Sequence, residues 1–254
     1  MLSEFVPIWI PSRGRAGNAA TTIRRMIREG LEPNVLVPQD EHDAYYAAFG
    51  DSIKIWPTQV KGIGLKRQWI LRLMRTSGIR RFWMIDDDIS NIAHRDLPGA
   101  PFIQTTWSAS LSGMEQALPF MSAHGLAGPA PRQYAYTKMV QSEDDQRIGF
   151  VVLVRTDGPW NYWPFLHEDT DLNIQVLTSG WHTRLFYEWG FNTAINGTLP
   201  GGCSDDYARG AGELAAQALY DKWEPSNPGL VRIEKSKQGN AVARVDWSML
   251  RATP

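Results

Sequence analysis

The sequence is nearly without thiols: Cys203 is the one cysteine among 254 residues. A lone thiol makes no internal disulfide and no zinc–thiolate cluster, and it suits a reducing compartment. Long apolar runs are missing too, and no stretch nears the ~20 residues that a membrane-spanning helix needs. The amino terminus has neither the basic nor the apolar region of a secretory signal. A cytoplasmic protein with no membrane association is expected. Nor is there an excess of charge of one sign, since 26 Lys and Arg face 27 Asp and Glu for a net charge of −1. Such balance gives the whole molecule no attraction to nucleic acid, so a nucleic-acid partner must meet a local basic patch. Repeats, low-complexity segments and interdomain linkers are absent.

What remains is an ordinary soluble globule, 43% hydrophobic and 21% charged, of a length that fits one α/β domain. The N-terminal half alternates short apolar runs with helical patterns, the sign of βα units and a largely parallel sheet. Strands are expected over 5–10, 34–37, 52–56 and 82–85. Between them fall a helix capped by Asn18, with Thr22, Ile23, Met26 and Ile27 inward, and a short helix over 41–49. A further helix over 64–75 carries the stripe Leu65, Trp69, Ile70 and Leu73. In the second half, helices are expected over 108–124, 167–179 and 213–223, and strands over 149–154, 181–189, 230–233 and 241–245. Residues 157–165 and 196–206 read as loops. The sequence is rich in tryptophan, with 11, a side chain that stacks on sugars and bases or fills cores.

Three adjacent carboxylates, Asp86, Asp87 and Asp88, follow the apolar run 82–85. Asp86 and Asp88 are two apart, so in an extended segment they point the same way. Hard oxygen ligands at the carboxyl edge of a sheet suit Mg²⁺ or Mn²⁺ carrying a diphosphate; the plain alternative is a solvated acidic turn. Other polar segments leave other strands. After the first come Pro11, Ser12, Arg13, Gly14 and Arg15, where glycine permits close approach and the guanidinium groups suit a phosphate or a base edge. Asp40 and Glu41 after the second are able to accept from a uracil-type base or a ribose, or simply to favour a helix start.

Gly62, Ile63 and Gly64 open the helix that precedes the acidic strand, with Lys66 and Arg67 in its first turns. Backbone N–H groups plus two cations make an anion site, and the conflict of those cations with the helix dipole is one that an anion resolves. His167, Glu168, Asp169, Thr170 and Asp171 open another helix. Acids there favour the dipole and cap the helix, but a carboxylate so placed is also able to orient or deprotonate an acceptor hydroxyl. Trp160, Tyr162 and Trp163 just before it read as an apolar platform for that acceptor. Basic clusters at Arg13, Arg15, Arg24, Arg25 and Arg28, and at Lys66, Arg67, Arg72, Arg75, Arg80 and Arg81, are either nucleic-acid patches or solvated helix faces.

Taken together these residues resemble a GT-A glycosyltransferase. Ile10 to Arg15 resemble the nucleotide-binding entry, Gly64 to Gln68 the basic helix start, Met84 to Asp88 the D-x-D motif, and Glu168 to Asp171 the later acidic motif. The similarity spans about residues 5–190, in family order. A narrower resemblance is to the phage and bacterial glycosyltransferases associated with TET-type dioxygenases, carried by Ser12-Arg13-Gly14-Arg15, Lys66-Arg67-Gln68, His167-Glu168-Asp169 and the terminal Val245-Asp246-Trp247.

The resemblance implies an α/β, Rossmann-like GT-A fold: a single domain with a mostly parallel central sheet flanked by helices, residues 1–95 serving the nucleotide and 96–254 the acceptor. It implies transfer from a nucleoside diphosphate sugar, a UDP-sugar foremost, to a hydroxymethylpyrimidine in DNA, 5-hydroxymethylcytosine first. Mn²⁺ or Mg²⁺ would lie on Asp88, with Asp86 on the metal or the ribose and Asp87 beside the nucleotide. Pro11, Ser12, Arg13 and Arg15 would hold the nucleotide, and Lys66 and Arg67 would neutralise the departing diphosphate. Asp169, with Glu168 next in line, would act on the acceptor hydroxyl. Trp160, Tyr162, Trp163 and His167 would meet the acceptor, with His182 as a further candidate and the loop 197–204 closing over the donor. The rivals are a transferase for glycan or small-molecule acceptors, a sugar nucleotidyltransferase, and an inactive binding module.

Overall fold

From Phe82 to Ile85 successive side chains leave opposite faces of one sheet: Phe82 and Met84 enter one core, Trp83 and Ile85 the other. That alternation decides which helices meet which residues. The structure is a computed structural model that describes residues 6–17, 19–118, 122–193, 201–236 and 240–251. The expected cap Asn18 and residues 197–200 of the loop 197–204 lie outside the described residues.

The chain runs through β1 (Ile8–Pro11), α1 (Thr21–Arg28), β2 (Asn34–Pro38), α2 (His42–Phe49), β3 (Lys54–Thr58), α3 (Ile63–Thr76) and β4 (Arg81–Ile85). It continues through β5 (Ile89–His94), β6 (Ile103–Gln104), α4 (Trp107–Ala117), β7 (His124–Pro131), α5 (Arg132–Ala135), β8 (Ser142–Asp144) and β9 (Val151–Arg155). Last come α6 (Glu168–Thr178), β10 (His182–Thr193), α7 (Ser204–Ala208), α8 (Ala211–Trp223), β11 (Val231–Lys235) and β12 (Ala241–Val245). The fold is mixed α/β, a large central sheet flanked by helices.

The sheet order is β3-β2-β1-β4-β9-β7-β10-β5-β6, with β8 also on β10. β1 is parallel to β2 on one side and to β4 on the other. The chain therefore leaves β1 toward β2 and β3 and only later returns to place β4 on the opposite flank. At such a switch point the segments leaving the strands diverge and open a crevice at the carboxyl edge. β9 then joins antiparallel to β4 and β7, while β10 runs parallel to β7.

One face packs Ile10, Val35, Val37, Trp83 and Ile85 against Ile23 and Met26 of α1, Tyr45 and Phe49 of α2, and Trp107, Leu111 and Met114 of α4. The other packs Trp9, Leu36, Phe82 and Met84 against Ile70, Leu71 and Met74 of α3 and Leu172 and Val176 of α6. Each such large side chain, fully buried, contributes about 1.5–3 kcal/mol of transfer free energy. Outside the sheet, α8 and the β11–β12 hairpin pack on α6 through Ile174, Leu219, Leu230 and Val231.

Two expectations are corrected here. The helix expected over 108–124 is the shorter α4, and His124 begins a strand instead. The sequence of β7, HGLAGPAP, has a poor strand composition, yet its glycines are required by packing. A Cβ on Gly128 would come 2.2 Å from Val151 O. On α3, Leu65 of the expected apolar stripe is 42% exposed, while Lys66, Arg67 and Gln68 are buried with Ile70, Leu71 and Met74. The first turns of this helix face a charged cleft, and ion pairing there sets their burial.

Candidate active site

The alternation of β4 carries one residue past its end. Asp86 follows Phe82 and Met84 to the α3 side, where its carboxylate pairs with Arg67 at 2.5 Å. Asp87 turns to the α1–α2 side and accepts from Ser12 Oγ and from Arg15. The backbone then turns, and Asp88 joins Asp87 against Arg15, 3.1 Å from its guanidinium. Asp86 and Asp88 thus have separate guanidinium partners, contrary to the extended reading, because the strand ends at Ile85. All three carboxylates still line one cleft.

The loop after β1 is braced from beneath. Ser12 Oγ lies 2.6 Å from Tyr45 Oη, and the Arg15 N–H donates to the same phenol at 3.3 Å. Burial pushes Tyr45 up to about 12, so it stays protonated. Gly14, with a φ of 66°, donates its N–H to the Glu41 carboxylate at 2.6 Å. Glu41 therefore holds the loop rather than facing the cleft. Tyr45 was hidden from the sequence reading because it stands on the apolar face of α2. Above the loop, Arg13 donates to Gly202 O and to Asp206 at 2.8 Å, and the Gly202 N–H returns a bond to Arg13 O at 2.8 Å.

Lys66 and Arg67 are neighbours on α3 with different tasks. Lys66 Nζ donates to Ser12 O at 3.0 Å, and burial lowers it to about 8. Arg67 spans two acidic motifs, with Asp86 on one amino group and Glu168 at 3.0 Å on the other. Burial opposes its charge, and Asp86 and Glu168 outweigh that opposition. Gly64 lets this end of α3 abut the segment before α6: a Cβ there would come 1.7 Å from Trp163 O.

α6 begins at Glu168 after His167, which adopts a left-handed φ of 66°. Burial pushes Glu168 up to about 7 in spite of Arg67. Burial also acts upward on Asp169, but Arg147 at 2.5 Å, Arg67 and the Thr170 N–H bring it below the usual carboxylate range. Farther along, the fully buried Asp171 accepts from Lys222 at 2.6 Å and from the Trp223 indole at 2.7 Å, which fixes α6 to α8.

The cleft has a volume of about 890 Å³. Pro11, Ser12, Arg13, Arg15, Lys66, Arg67, Asp86, Asp87, Asp88, His167, Glu168 and Asp169 all line it. The aromatic loop is placed otherwise. Trp160 and Tyr162 are 1% and 4% exposed, the indole N–H of Trp160 donating to Arg155 O and Tyr162 lying under Arg67. Trp163 packs edge-on to Phe165 and under Lys222, outside the cleft lining. Arg75 pins this loop through the carbonyls of Gly158 and Trp160. These rings are packing, so the expected stacking platform is corrected. His182 is also displaced: it pairs with Asp145 at 2.9 Å at the start of β10, whereas the end of β10 meets the cleft. The sequence reading missed Arg132, Tyr134, Arg147 and Tyr207, which complete the lining from α5, the approach to β9, and α7.

The donor set also bears on a metal. Asp86 is pushed up to about 7, first by burial and then, against Arg67, by Asp88 and Asp87. Burial and the neighbouring acids both disfavour the charged form of Asp86, and a bound cation would offset them. Among the described residues no three His, Cys, Asp or Glu side chains surround a common point. Two carboxylates that share an ion with a ligand's phosphates are the usual arrangement for Mg²⁺, and Asp86 and Asp88 fit it.

In an open α/β sheet, a crevice at the switch point is where ligands bind. The chain belongs to the TET-associated glycosyltransferase family, whose sequence model matches residues 6–196, and it is a glycosyltransferase. No curated protein sequence matches it. Among solved structures it is similar to A197 from STIV, at 9% identity and a TM-score of 0.43 over 75% of this chain and 86% of that one. It is similar to a protein described as a nucleotide-diphospho-sugar transferase from Desulfovibrio desulfuricans G20, at 10% identity and a TM-score of 0.42 over 71% and 79%. A third is CMP:2-keto-3-deoxy-manno-octonic acid synthetase complexed with CTP, at 13% identity and a TM-score of 0.43 over 84% and 99%. Among the described residues no helix is long and apolar enough to cross a membrane.

Proposed function

We propose that the protein transfers a sugar from a nucleoside diphosphate sugar, a UDP-sugar foremost, to the hydroxymethyl group of a modified pyrimidine in DNA, 5-hydroxymethylcytosine first, with Mn²⁺ or Mg²⁺ on the diphosphate. One observation carries this reading: Arg67 ties Asp86 at the tip of β4 to Glu168 at the start of α6. In a chain of this family, two acidic motifs joined at one cleft support the reading of a donor site beside an acceptor carboxylate.

Asp88 and Asp86 would hold the ion, which when bound supplies Lewis-acid neutralisation of the leaving diphosphate. Pro11, Ser12, Arg13 and Arg15 contact the nucleotide, and Asp87 keeps Ser12 and Arg15 aimed. Lys66, buried at the same edge, donates to a phosphate oxygen. Glu168 takes the proton of the acceptor hydroxyl as its oxygen bonds to the sugar's anomeric carbon. The bond from that carbon to the phosphate oxygen breaks, and its electron pair leaves with the diphosphate. Both acids have a guanidinium partner, Arg67 for Glu168 and Arg147 for Asp169, and the expected order is exchanged because burial raises Glu168 toward neutrality, where a base is effective, whereas Asp169 is held below the usual carboxylate range.

The test is incubation with Mn²⁺ and a panel of nucleotide sugars, with and without hydroxymethylated DNA, followed by mass spectrometry of the digested nucleosides. A hexose or pentose increment on the modified pyrimidine is expected. Sugar on a glycan instead, or pyrophosphate released from a nucleoside triphosphate, would overturn it.

A further inference from the structure

The strand order separates two ends of the cleft. β7 stands two places from β4 and three from β1, roughly 10 Å and 14 Å at the usual spacing of ~4.8 Å. α5 begins at the end of β7. Yet α5 lines the same cleft with Arg132, Gln133 and Tyr134. Tyr134 is 63% exposed, a large ring with an open face at the cleft edge.

Arg132 differs from the other arginines that line the cleft. Arg13, Arg15, Arg67 and Arg147 each pair with a carboxylate. Among the described residues none lies within ion-pair distance of Arg132. Its guanidinium sits 5.3 Å from the Phe102 ring and 5.7 Å from that of Tyr136, whose hydroxyl accepts from it at 2.8 Å. Its Nε is buried without a hydrogen-bond partner. Gly190 makes room for it, since a Cβ there would come 2.7 Å from Arg132 Cγ. The result is a fixed guanidinium without a carboxylate partner among the described residues, on the same cleft lining as the exposed Gln133 and Tyr134.

We propose that Arg132, Gln133 and Tyr134 form the acceptor subsite and take one nucleotide unit of a nucleic-acid strand. The base stacks on Tyr134, its edge meets the Gln133 amide, and Arg132 meets the flanking phosphate. Stacking is indifferent to base identity, whereas a fixed cation beside it selects a strand with a charged backbone over a neutral glycan. The subsite rests on the acceptor reading above, but its test needs no turnover.

Fluorescence anisotropy of a fluorescein-labelled single-stranded oligodeoxynucleotide, without donor, reads the subsite directly. Tyr134→Ala is expected to weaken binding ~10-fold, and Tyr134→Phe to recover most of it. Arg132→Gln should lower the salt dependence of binding by about one phosphate contact. Donor affinity by calorimetry should be the same in all variants. No binding by the wild type, equal binding by Tyr134→Ala, or donor affinity falling in step with oligonucleotide affinity would overturn the subsite. Sugar transfer to a glycan would refute the acceptor reading while the anisotropy assay still decided the subsite on its own terms.

Discussion

The two walls of the cleft carry charge in different states. On the wall of β1, α3 and β4 the carboxylates are matched by guanidinium groups, and Asp87 with Arg15 and Asp86 with Arg67 are close pairs largely removed from water. On the wall of α5, Arg132 has rings for neighbours and, among the described residues, no acid. A matched wall is rigid before the ligand arrives and suits a multiply charged group that brings a counter-ion with it. An unmatched cation leaves attraction for an anion that comes alone. On the proposals made above, the donor takes the first wall and the acceptor the second.

The sharpest way to break that assignment is Asp88→Asn. Loss of an ion-holding carboxylate should lower kcat/KM on the order of a hundredfold, with a shifted Mn²⁺ requirement in the titration. An unchanged Mn²⁺ profile would remove Asp88 from the metal. Next is Arg67→Met, which leaves Asp86 and Glu168 close together and buried without their shared cation. A loss of ~3–5 kcal/mol is expected in a denaturant titration, and adding Glu168→Gln should restore part of it. Gly64→Ala should cost ~1–3 kcal/mol by the same measure, because the new methyl group displaces the backbone at Trp163.

The smallest effect is on pH. A raised carboxyl must ionise before it acts as a base, so kcat/KM should rise as pH passes about 7 for Glu168. A lowered ammonium loses its charge early, so kcat/KM should fall above about 8 as Lys66 deprotonates. Each arm approaches about tenfold per pH unit. Lys66→Arg should flatten the alkaline arm. An acid arm that persists only far below 7 would return the base role to Asp169.

Much of the first wall was legible in the sequence because it is local. Strand ends followed by polar residues give Ser12, Arg15, Lys66 and Asp86 directly, and the apolar run 82–85 fixes where the acids must emerge. The second wall was not. β7 is built from glycine, alanine and proline, whose demand for close packing leaves no period of two to read. The exposed Tyr134 follows it on a four-residue helix too short for a pattern. The tryptophan-rich loop misled for a related reason: flat rings serve stacking and packing equally, and only the placement of α3 and α8 around it decides. Glu41 and Tyr45 likewise reveal themselves only when α2 is set beneath the first loop.

The family match stops at residue 196, yet Gly202 and Asp206 clasp Arg13, and Lys222 anchors Asp171 of the helix that bears Glu168. A fragment cut at that boundary would strip a hydrophobic flank from α6 and leave Arg13 without its clasp. To express this chain only as far as the family match would therefore discard the buttress of Arg13 and of the helix that bears Glu168.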